Sequence, residues 1–181
     1  MAKRDEILAT ALSLFSRHGY ASVGVDKIIA ESGVAKMTLY KQFGTKEGLI
    51  AEVLKLRDEL FMADLCKYVN GHTRGVKRIS AIFEWHRRWF KSKEFNGCMF
   101  IKASEEFNNS VPEFTAIMRN HKLSIQALIR NCLIEANSAE IEKKTAFIFI
   151  CLEGLTVHAN MFKPENLIDS VLETALAVVA A

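Results

Sequence analysis

Apolar residues recur at steps of three and four positions along most of the chain, which is the period of an amphipathic α-helix. No stretch shows the sustained alternation of apolar and polar residues that a half-buried strand needs. Only two prolines and nine glycines interrupt the pattern. The pattern therefore predicts an all-α protein of about nine helices.

The bounds of these helices follow from breaks in the apolar period and from capping residues. Thr45 and Ser110 are residue types that cap helix starts, and Pro112 is tolerated in a first turn. Pro164 is expected to open the last helix. In chain order the predicted helices are Lys3 to His18, Val25 to the break at Gly33-Val34, Ala35 or Lys36 to Phe43, Thr45 to about Tyr68, Val76 to about Lys91, Cys98 to Asn108, Ser110 to about Ala136, Asn137-Ser138 to Met161 or Phe162, and Glu165 to about Val179.

The second and third helices are short and are separated by Gly33, so the segment from Val25 to Leu49 predicts a helix-turn-helix. Leu39 and Phe43 are four positions apart and form the buried face of the third helix. A helix of about two turns fits the major groove, where lysine, threonine and glutamine read base edges and tyrosine hydroxyls bind phosphate. The outer face of this helix is polar and basic without a carboxylate, and it carries Lys36, Met37, Thr38, Tyr40, Lys41 and Gln42.

The run GVAKMTLYKQFGTKEGLI, from Gly33 to Ile50, resembles the Thr-Leu-Tyr, x-x-Phe, x-x-Lys-Glu signature of the TetR family of bacterial transcriptional regulators. The resemblance covers about the first quarter of the chain. Gly24, Ala35, Met37 and Gly48 depart from residues that are frequent in the family. The resemblance implies phosphate contacts for Thr38, Tyr40 and Lys46, and base contacts for Lys36, Met37 and Lys41.

These patterns predict two domains. Residues 1–48 form a three-helix DNA-binding domain, and residues 49–181 form a helical domain for effector binding and dimerisation. The fourth helix, about 45–68, links the two, and residues 69–75 are the clearest internal break. From Asn131 onward the chain has three basic and seven acidic residues, so the excess positive charge lies in the earlier part of the chain.

Composition excludes several classes of protein. The N-terminal MAKRDEIL lacks the apolar run of a signal peptide, and no apolar stretch of membrane-spanning length lacks polar interruption, so we expect a cytoplasmic protein without membrane contact. The four cysteines form no C-x-x-C pair, and the five histidines lack the spacing of a zinc site. No nucleophile motif, phosphate loop or dinucleotide fingerprint is present. We expect no enzyme activity, metal or cofactor.

Aromatic and sulfur-containing side chains are dense in the middle of the chain. Ordinary core packing explains most of them, but a binding pocket for a small apolar or amphipathic effector needs the same residue types. The resemblance to the TetR family favours such a pocket. The side chains predicted to line it are Phe61, Phe83, His86, Trp89, Phe90, Phe100, Phe107 and Met118.

Cys98 follows Asn96-Gly97 at a helix start, where the helix dipole favours a thiolate. Two interpretations stay open for it: a thiol sensor of oxidants or electrophiles, and a small buried residue in a structural turn. Cys66, Cys132 and Cys151 lie in apolar helical contexts and are weaker candidates.

The eighth and ninth helices carry more apolar residues than one chain is expected to bury, which predicts a homodimer joined by a four-helix bundle. The alternative is that the ninth helix packs on its own chain as core. The predicted interface residues are Phe147, Ile150, Leu155, Met161, Ile168, Leu172 and Leu176.

Together these inferences predict a ligand-responsive repressor that binds a palindromic operator in double-stranded DNA as a homodimer and is released by a small molecule. A thiol-switched regulator acting through Cys98 is the alternative within this class. A helical scaffold that does not bind DNA and a small helical enzyme are the alternatives from other classes, and a gel shift with DNA separates both from a regulator.

Overall fold

The computed structural model describes residues 3–108, 110–162 and 167–180. Within these residues the chain forms nine α-helices, and no strand occurs among them. The all-α prediction is confirmed. The helices are α1 (Lys3–His18), α2 (Val25–Ser32), α3 (Lys36–Phe43), α4 (Lys46–Asn70), α5 (Val76–Lys91), α6 (Met99–Phe107), α7 (Pro112–Glu135), α8 (Ile141–Phe162) and α9 (Leu167–Ala180).

Three predicted helix starts need comment. The hydroxyl of Ser110 donates to the carbonyl oxygen of Phe107, so Ser110 closes the end of α6 and does not cap α7 as predicted. Helix α8 begins at Ile141, three residues later than predicted, because Asn137 and Glu140 adopt left-handed backbone conformations with φ of 53° and 50°. The predicted start of the ninth helix, at Pro164 and Glu165, lies outside the described residues.

Helices α1, α2, α3 and α6 lie in the first of two compact units, which comprises the described residues up to Leu60 and those of Cys98–Asn120. The first part of α4, residues 46–60, and the first part of α7, residues 112–120, belong to the same unit. Burial of apolar side chains from all these segments stabilises this unit. Fully buried members of its core include Ile7, Ala11, Phe15, Tyr20, Val23, Ile28, Leu39, Leu49, Val53, Leu54 and Ala103.

The second unit comprises Phe61–Gly97 and the described residues from His121 onward. It contains α5, α8 and α9 with the remaining parts of α4 and α7, and α5 packs on both α8 and α9. By length and composition alone, α8 would also be long and apolar enough to cross a membrane. Fully buried members of the core of this unit include Leu65, Val69, Ile79, Ile82, Phe83, Ile129, Leu133, Ile148 and Ala175.

Candidate DNA-binding surface and sensor region

The turn between α2 and α3 has the geometry that the sequence predicts for a helix-turn-helix. Gly33 ends α2 in the left-handed conformation, with φ of 67°, and its amide donates to the carbonyl of Ile29 at 3.0 Å. The next residue, Val34, is buried in the core of the first unit. Leu39 and Phe43 hold α3 on the same core. The opposite face of α3 is thereby turned to solvent.

This outer face carries the side chains that the sequence assigns to DNA. Met37 is 79% exposed and Tyr40 is 40% exposed. Lys36 and Lys41 are also exposed, whereas Thr38 is half-buried. All five therefore lie on or at the edge of one accessible helix face, as a major-groove reading helix requires.

Lys36 already has an acidic partner. Its Nζ lies 2.9 Å from Oδ1 of Asp26 on α2, and this hydrogen bond raises the pKa of the lysine. Both side chains are exposed, so the pair contributes little to stability and is readily exchanged for another partner. Lys36 is fully charged at neutral pH and can leave Asp26 for an anionic or polar base edge.

Lys46, at the first residue of α4, is half-buried. Its Nζ donates to the backbone carbonyl of Tyr20 at 2.7 Å. An ammonium group has three donors, so this bond leaves donors for the phosphate contact predicted by the family resemblance. The bond also fixes the lysine to the turn that precedes α2.

Three departures from the family pattern lie at helix ends of this region. Gly24 and Ala35 are the N-caps of α2 and α3, and neither provides a side-chain hydrogen bond. The Thr45 hydroxyl accepts a bond from the amide of Gly48 at 3.0 Å, as expected for the predicted cap of α4. A Cβ on Gly48 would lie only 2.1 Å from the carbonyl oxygen of Phe43. Close backbone approach therefore requires glycine at position 48.

Five of the predicted pocket side chains lie in the second unit, and four of these form one aromatic cluster. The ring of Phe61 contacts Trp89 edge-on at 5.2 Å and His86 at 6.2 Å between centroids. His86 also contacts Phe90 at 6.0 Å. Phe83, the fifth, is fully buried in the core of the same unit. Trp85, Phe95 and His121 join the cluster although the sequence prediction omitted them.

The other three predicted pocket residues belong to the first unit. Phe100 and Met118 are buried in its core, and Phe107 is partly buried against it. The Phe107 ring packs on Tyr20 at 5.6 Å and on Phe114 at 4.9 Å. These contacts give all three a packing role in the first unit, which the dense aromatic pattern did not distinguish from a binding role.

His86 is a buried titratable group inside the aromatic cluster. Its Nδ1–H donates to the carbonyl of Ile82 at 2.8 Å, which fixes the neutral tautomer with Nδ1 protonated. Burial lowers the pKa of His86 to about 4, the hydrogen bond to Ile82 opposes this lowering, and electrostatic interaction with the neighbouring Lys122 and His121 adds to it. The imidazole is therefore neutral at physiological pH.

Cys98 is half-buried and is the N-cap residue of α6, as the sequence suggested. Burial lowers the pKa of the Arg57 guanidinium and of the Lys102 ammonium, and the electrostatic interaction with Cys98 partly offsets this lowering. Burial raises the pKa of the Cys66 and Cys151 thiols, and it raises the pKa of Cys132 to about 11.

The predicted dimer residues separate into two groups. Phe147, Ile150 and Met161 of α8 are 37%, 65% and 65% exposed. Leu155 and Ile168 are each only 2% exposed, because they pack into the core of their own second unit. Including these two in the interface was wrong.

Leu172 and Leu176 of α9 are half-buried against the core of the second unit. One side of α9 therefore packs on its own chain, as the alternative interpretation held. Val157, Phe162 and Leu167 are further apolar side chains that are exposed.

Sequence reasoning missed two charged residues of α6 that contact the region before the helix-turn-helix. Glu106 accepts hydrogen bonds from the backbone amides of Tyr20 and Ala21, and Lys102 donates to the carbonyl of Ser16. The partners are separated by 85 or 86 positions. No local pattern signals contacts over that distance.

Comparison with known proteins gives matches in sequence and in fold. Residues 7–53 match the model of the bacterial regulatory proteins of the tetR family. The chain is 27% identical over 169 residues to YerO of Bacillus subtilis (strain 168), an uncharacterized HTH-type transcriptional regulator. That match covers 88% of this chain and 55% of YerO. The chain thus spans about half the length of the curated relatives it matches.

Two solved structures share the fold over nearly the whole chain. The TetR-family regulator SCO4454 from Streptomyces coelicolor superposes with a TM-score of 0.91 at 24% identity, covering 99% of this chain and 96% of that one. A cysteine double mutant of the TetR-family regulator CifR, solved with 26-base-pair operator DNA, gives a TM-score of 0.77 at 23% identity, covering 96% and 95%. Residues 7–53 therefore match the tetR-type regulatory segment in sequence, and the chain shares the fold of TetR-family regulators over nearly its whole length.

Proposed function

We propose that this protein is a cytoplasmic, homodimeric transcriptional repressor that binds a palindromic operator and releases it when a small apolar or amphipathic molecule binds. The observation that carries the proposal is the exposed outer face of α3, with Met37 and Tyr40 turned to solvent and Leu39 buried behind them. The relation to a family of regulators, and not of enzymes, supports it.

In the proposed complex α3 enters the major groove. Lys36, Met37 and Lys41 face base edges, where ammonium groups bind guanine and the methionine contacts thymine methyl groups. Thr38 and Tyr40 bind phosphate and fix the register of the helix. Phosphate contacts of this kind set affinity for any sequence, whereas base contacts set specificity.

The test begins with recovery of the DNA that the protein retains from fragmented genomic DNA of its source. Binding to a recovered fragment is then measured over a range of salt concentrations for wild type and Lys46→Ala. Loss of one phosphate contact should make the slope of log affinity against log salt shallower by about one unit. Lys77→Ala removes an exposed lysine of α5 and serves as the control, with an unchanged slope. A wild-type slope for Lys46→Ala would contradict the phosphate role.

Dimerisation is proposed to use the exposed apolar stripe of α8. Phe147, Ile150, Val157 and Met161 recur at helical spacing and span about 21 Å at 1.5 Å per residue. Gly154 lies within the stripe, and an added Cβ there would meet no atom within 4 Å. Exposed apolar side chains on a protein surface are normally scattered singly. A row of four such side chains along one helix is typical of a protein interface.

Ile150→Glu should therefore give a monomer with an unchanged helical circular-dichroism signal and weaker operator binding, because each half-site alone binds weakly. Leu60→Glu makes the same chemical change at a 50% exposed position of α4 and should remain dimeric. An intact Ile150→Glu dimer in sedimentation would place the interface elsewhere.

The effector is proposed to bind at the aromatic cluster of the second unit. Two buried imidazoles, His86 and His121, lie among apolar rings there, a combination that suits an apolar molecule with few polar groups. Both tryptophans of the chain, Trp85 and Trp89, belong to the cluster. Their fluorescence therefore reports binding directly.

Compounds that change this fluorescence should also release DNA. Trp89→Leu should weaken their binding at least about tenfold through loss of ring contacts. Phe107→Leu, in the core of the first unit, should leave binding unchanged and serves as the control. If Phe107→Leu weakens binding and Trp89→Leu does not, the pocket lies in the first unit.

A switch at Cys98 is the second candidate, favoured by its half-buried position at the N-cap of α6, where the helix dipole favours a thiolate. Cys98 should react with iodoacetamide at neutral pH faster than Cys132, whose thiol has a pKa of about 11, and modification should release DNA. A Cys98→Ser protein that still loses DNA in the presence of the same electrophile would exclude this switch.

A further inference from the structure

Helix α6 holds the segment that precedes the helix-turn-helix through three polar contacts inside the first unit. Lys102 Nζ donates to the carbonyl oxygen of Ser16 at 2.7 Å. The Met99 carbonyl accepts from the Tyr20 hydroxyl at 3.0 Å. Glu106 accepts from backbone amides of the turn after α1. Residues 99, 102 and 106 lie on one face of α6 because they are three and four positions apart.

The Glu106 carboxylate accepts hydrogen bonds from two backbone amides in the turn that follows α1. Its Oε1 and Oε2 lie 3.0 and 2.9 Å from the amide nitrogen of Tyr20, and Oε2 lies 2.6 Å from that of Ala21. Gly19 permits this approach, since a Cβ there would lie 2.6 Å from Oε1. Hydrogen bonds from amides to an ionised carboxylate are stronger than those between neutral groups.

Lys102 binds the C-terminal end of α1. Ser16 is in the last turn of α1, where carbonyl oxygens lack partners within the helix, and an ammonium group there also interacts favourably with the helix dipole. The cation and the anion of α6 thus bind opposite kinds of backbone group, on either side of Gly19.

Tyr20 connects this contact region to the DNA-facing side. Its side chain is fully buried and its ring packs on Phe15 at 5.2 Å. Its carbonyl accepts the bond from Lys46, at the start of α4. A single residue is therefore held by α6 through its amide and hydroxyl, and by a proposed phosphate-binding lysine through its carbonyl.

We propose that Glu106 and Lys102 are positioning residues for DNA reading, which hold the turn at residues 19–21 and, through Tyr20, the orientation of Lys46 and α2. The inference rests on the proposed function. It assigns to α6 a direct part in operator affinity, although neither charged side chain contacts DNA.

Glu106→Gln removes the charge and replaces one acceptor oxygen with a donor that faces backbone amides. Operator affinity should fall about tenfold, and the salt slope should become shallower by up to about one unit, because a displaced Lys46 no longer contacts its phosphate. Glu105→Gln is the matched control, because it makes the same charge change at the adjacent exposed residue. The effects of Glu106→Gln and Lys46→Ala should be less than additive in a double-mutant cycle, since both act through Tyr20.

Glu106→Asp provides a second variant that keeps the charge. Its side chain is one methylene shorter and should no longer reach both amides, so it should lose affinity as Glu106→Gln does. Amide hydrogen exchange at Tyr20 and Ala21 should be slow in wild type and faster in both variants, with thermal unfolding changed little.

Equal operator affinity for Glu106→Gln and Glu105→Gln would overturn the inference. A higher operator affinity for Glu106→Gln than for wild type would also overturn it, because the residue would then act through repulsion of the phosphates. Fast exchange of the Tyr20 and Ala21 amides in wild type would remove its structural basis. If wild type shows no selective DNA binding, the proposed function fails, and amide exchange in the free protein still decides whether α6 holds the turn.

Discussion

Acidification should destabilise the second unit through His86. This imidazole is 2% exposed and lies against Trp85, Trp89, Phe61 and Phe90. Its pKa is about 4 in the folded protein against 6.5 for an unperturbed histidine. Between these two values the unfolded chain binds more protons than the folded one.

The sign and size of the effect follow from this difference. The full stability is present above pH 6.5, falls as the pH drops through the window, and levels off near pH 4. The whole window corresponds to about 3 kcal/mol at about 1.4 kcal/mol per pKa unit. At pH 5, where most carboxylates are still ionised, the loss relative to pH 8 should be about 2 kcal/mol.

Urea unfolding, monitored by tryptophan fluorescence, measures the loss of stability of the second unit. Both tryptophans contact the His86 ring, at 5.1 and 6.1 Å between centroids, so the signal reports unfolding of the second unit. His86→Gln, with a neutral side chain, removes the titration. The free energy of unfolding of each protein is measured at pH 8 and at pH 5, at constant protein concentration. The loss in wild type minus the loss in His86→Gln is the contribution of His86.

His18→Gln, at an exposed position of α1, is the control and should keep the wild-type dependence on pH. If wild type and His86→Gln lose equal stability between pH 8 and pH 5, the reasoning on burial is wrong. An imidazole of His86 that titrates near 6.5 in NMR would refute it as well.

Three further substitutions and one control test local features. Gly48→Ala should lower the free energy of unfolding by at least about 1 kcal/mol, because the added Cβ meets the backbone of Phe43. Alanine in place of glycine normally stabilises a helix by about the same amount, so urea unfolding distinguishes the two effects by the sign of the change in stability. Ala35→Ser should raise it by about 1 kcal/mol by supplying the missing cap of α3. Lys122→Ala should cost about 1–2 kcal/mol, because the half-buried Nζ bonds both oxygens of Glu153 at 2.8 and 2.6 Å. Lys143→Ala, in an exposed pair, should stay within about 0.5 kcal/mol of wild type.

The period of apolar residues was sufficient to predict the helices because most of them bury one face and expose the other. The helix-turn-helix was predictable for the same reason, with Gly33 and Val34 marking the turn and Thr45 capping the next helix. These signals are local. Each depends on a residue type and on neighbours within about one turn.

Features that depend on distant partners could not be predicted in this way. Helix α8 is apolar around most of its circumference, so its period does not show that Leu155 faces its own core while Ile150 faces solvent. Ser110 is a residue type that caps helices, but the chain folds it back onto Phe107. Glu106 meets Tyr20 across 86 positions. Only the tertiary structure brings such groups together.

The predicted effector pocket shows the same limit of sequence-based prediction. Phe61 and Phe107 are equally plausible pocket residues by type and by their place in the middle of the chain. The structure assigns Phe61 to the aromatic cluster of the second unit and Phe107 to the core of the first. Residue type alone does not separate a binding side chain from a packing one.

Sequence-selective binding through α3 is the central claim, and one measurement tests it most directly. Fluorescence anisotropy at one salt concentration compares the affinity of wild type and Lys41→Ala for a recovered DNA fragment and for a scrambled version of it. Wild type should prefer the recovered fragment by at least about 10³, and Lys41→Ala should reduce that preference about tenfold or more through a lost base contact. Equal affinity of wild type for the two DNAs, or an unchanged preference in Lys41→Ala, would contradict reading of DNA by this face of α3.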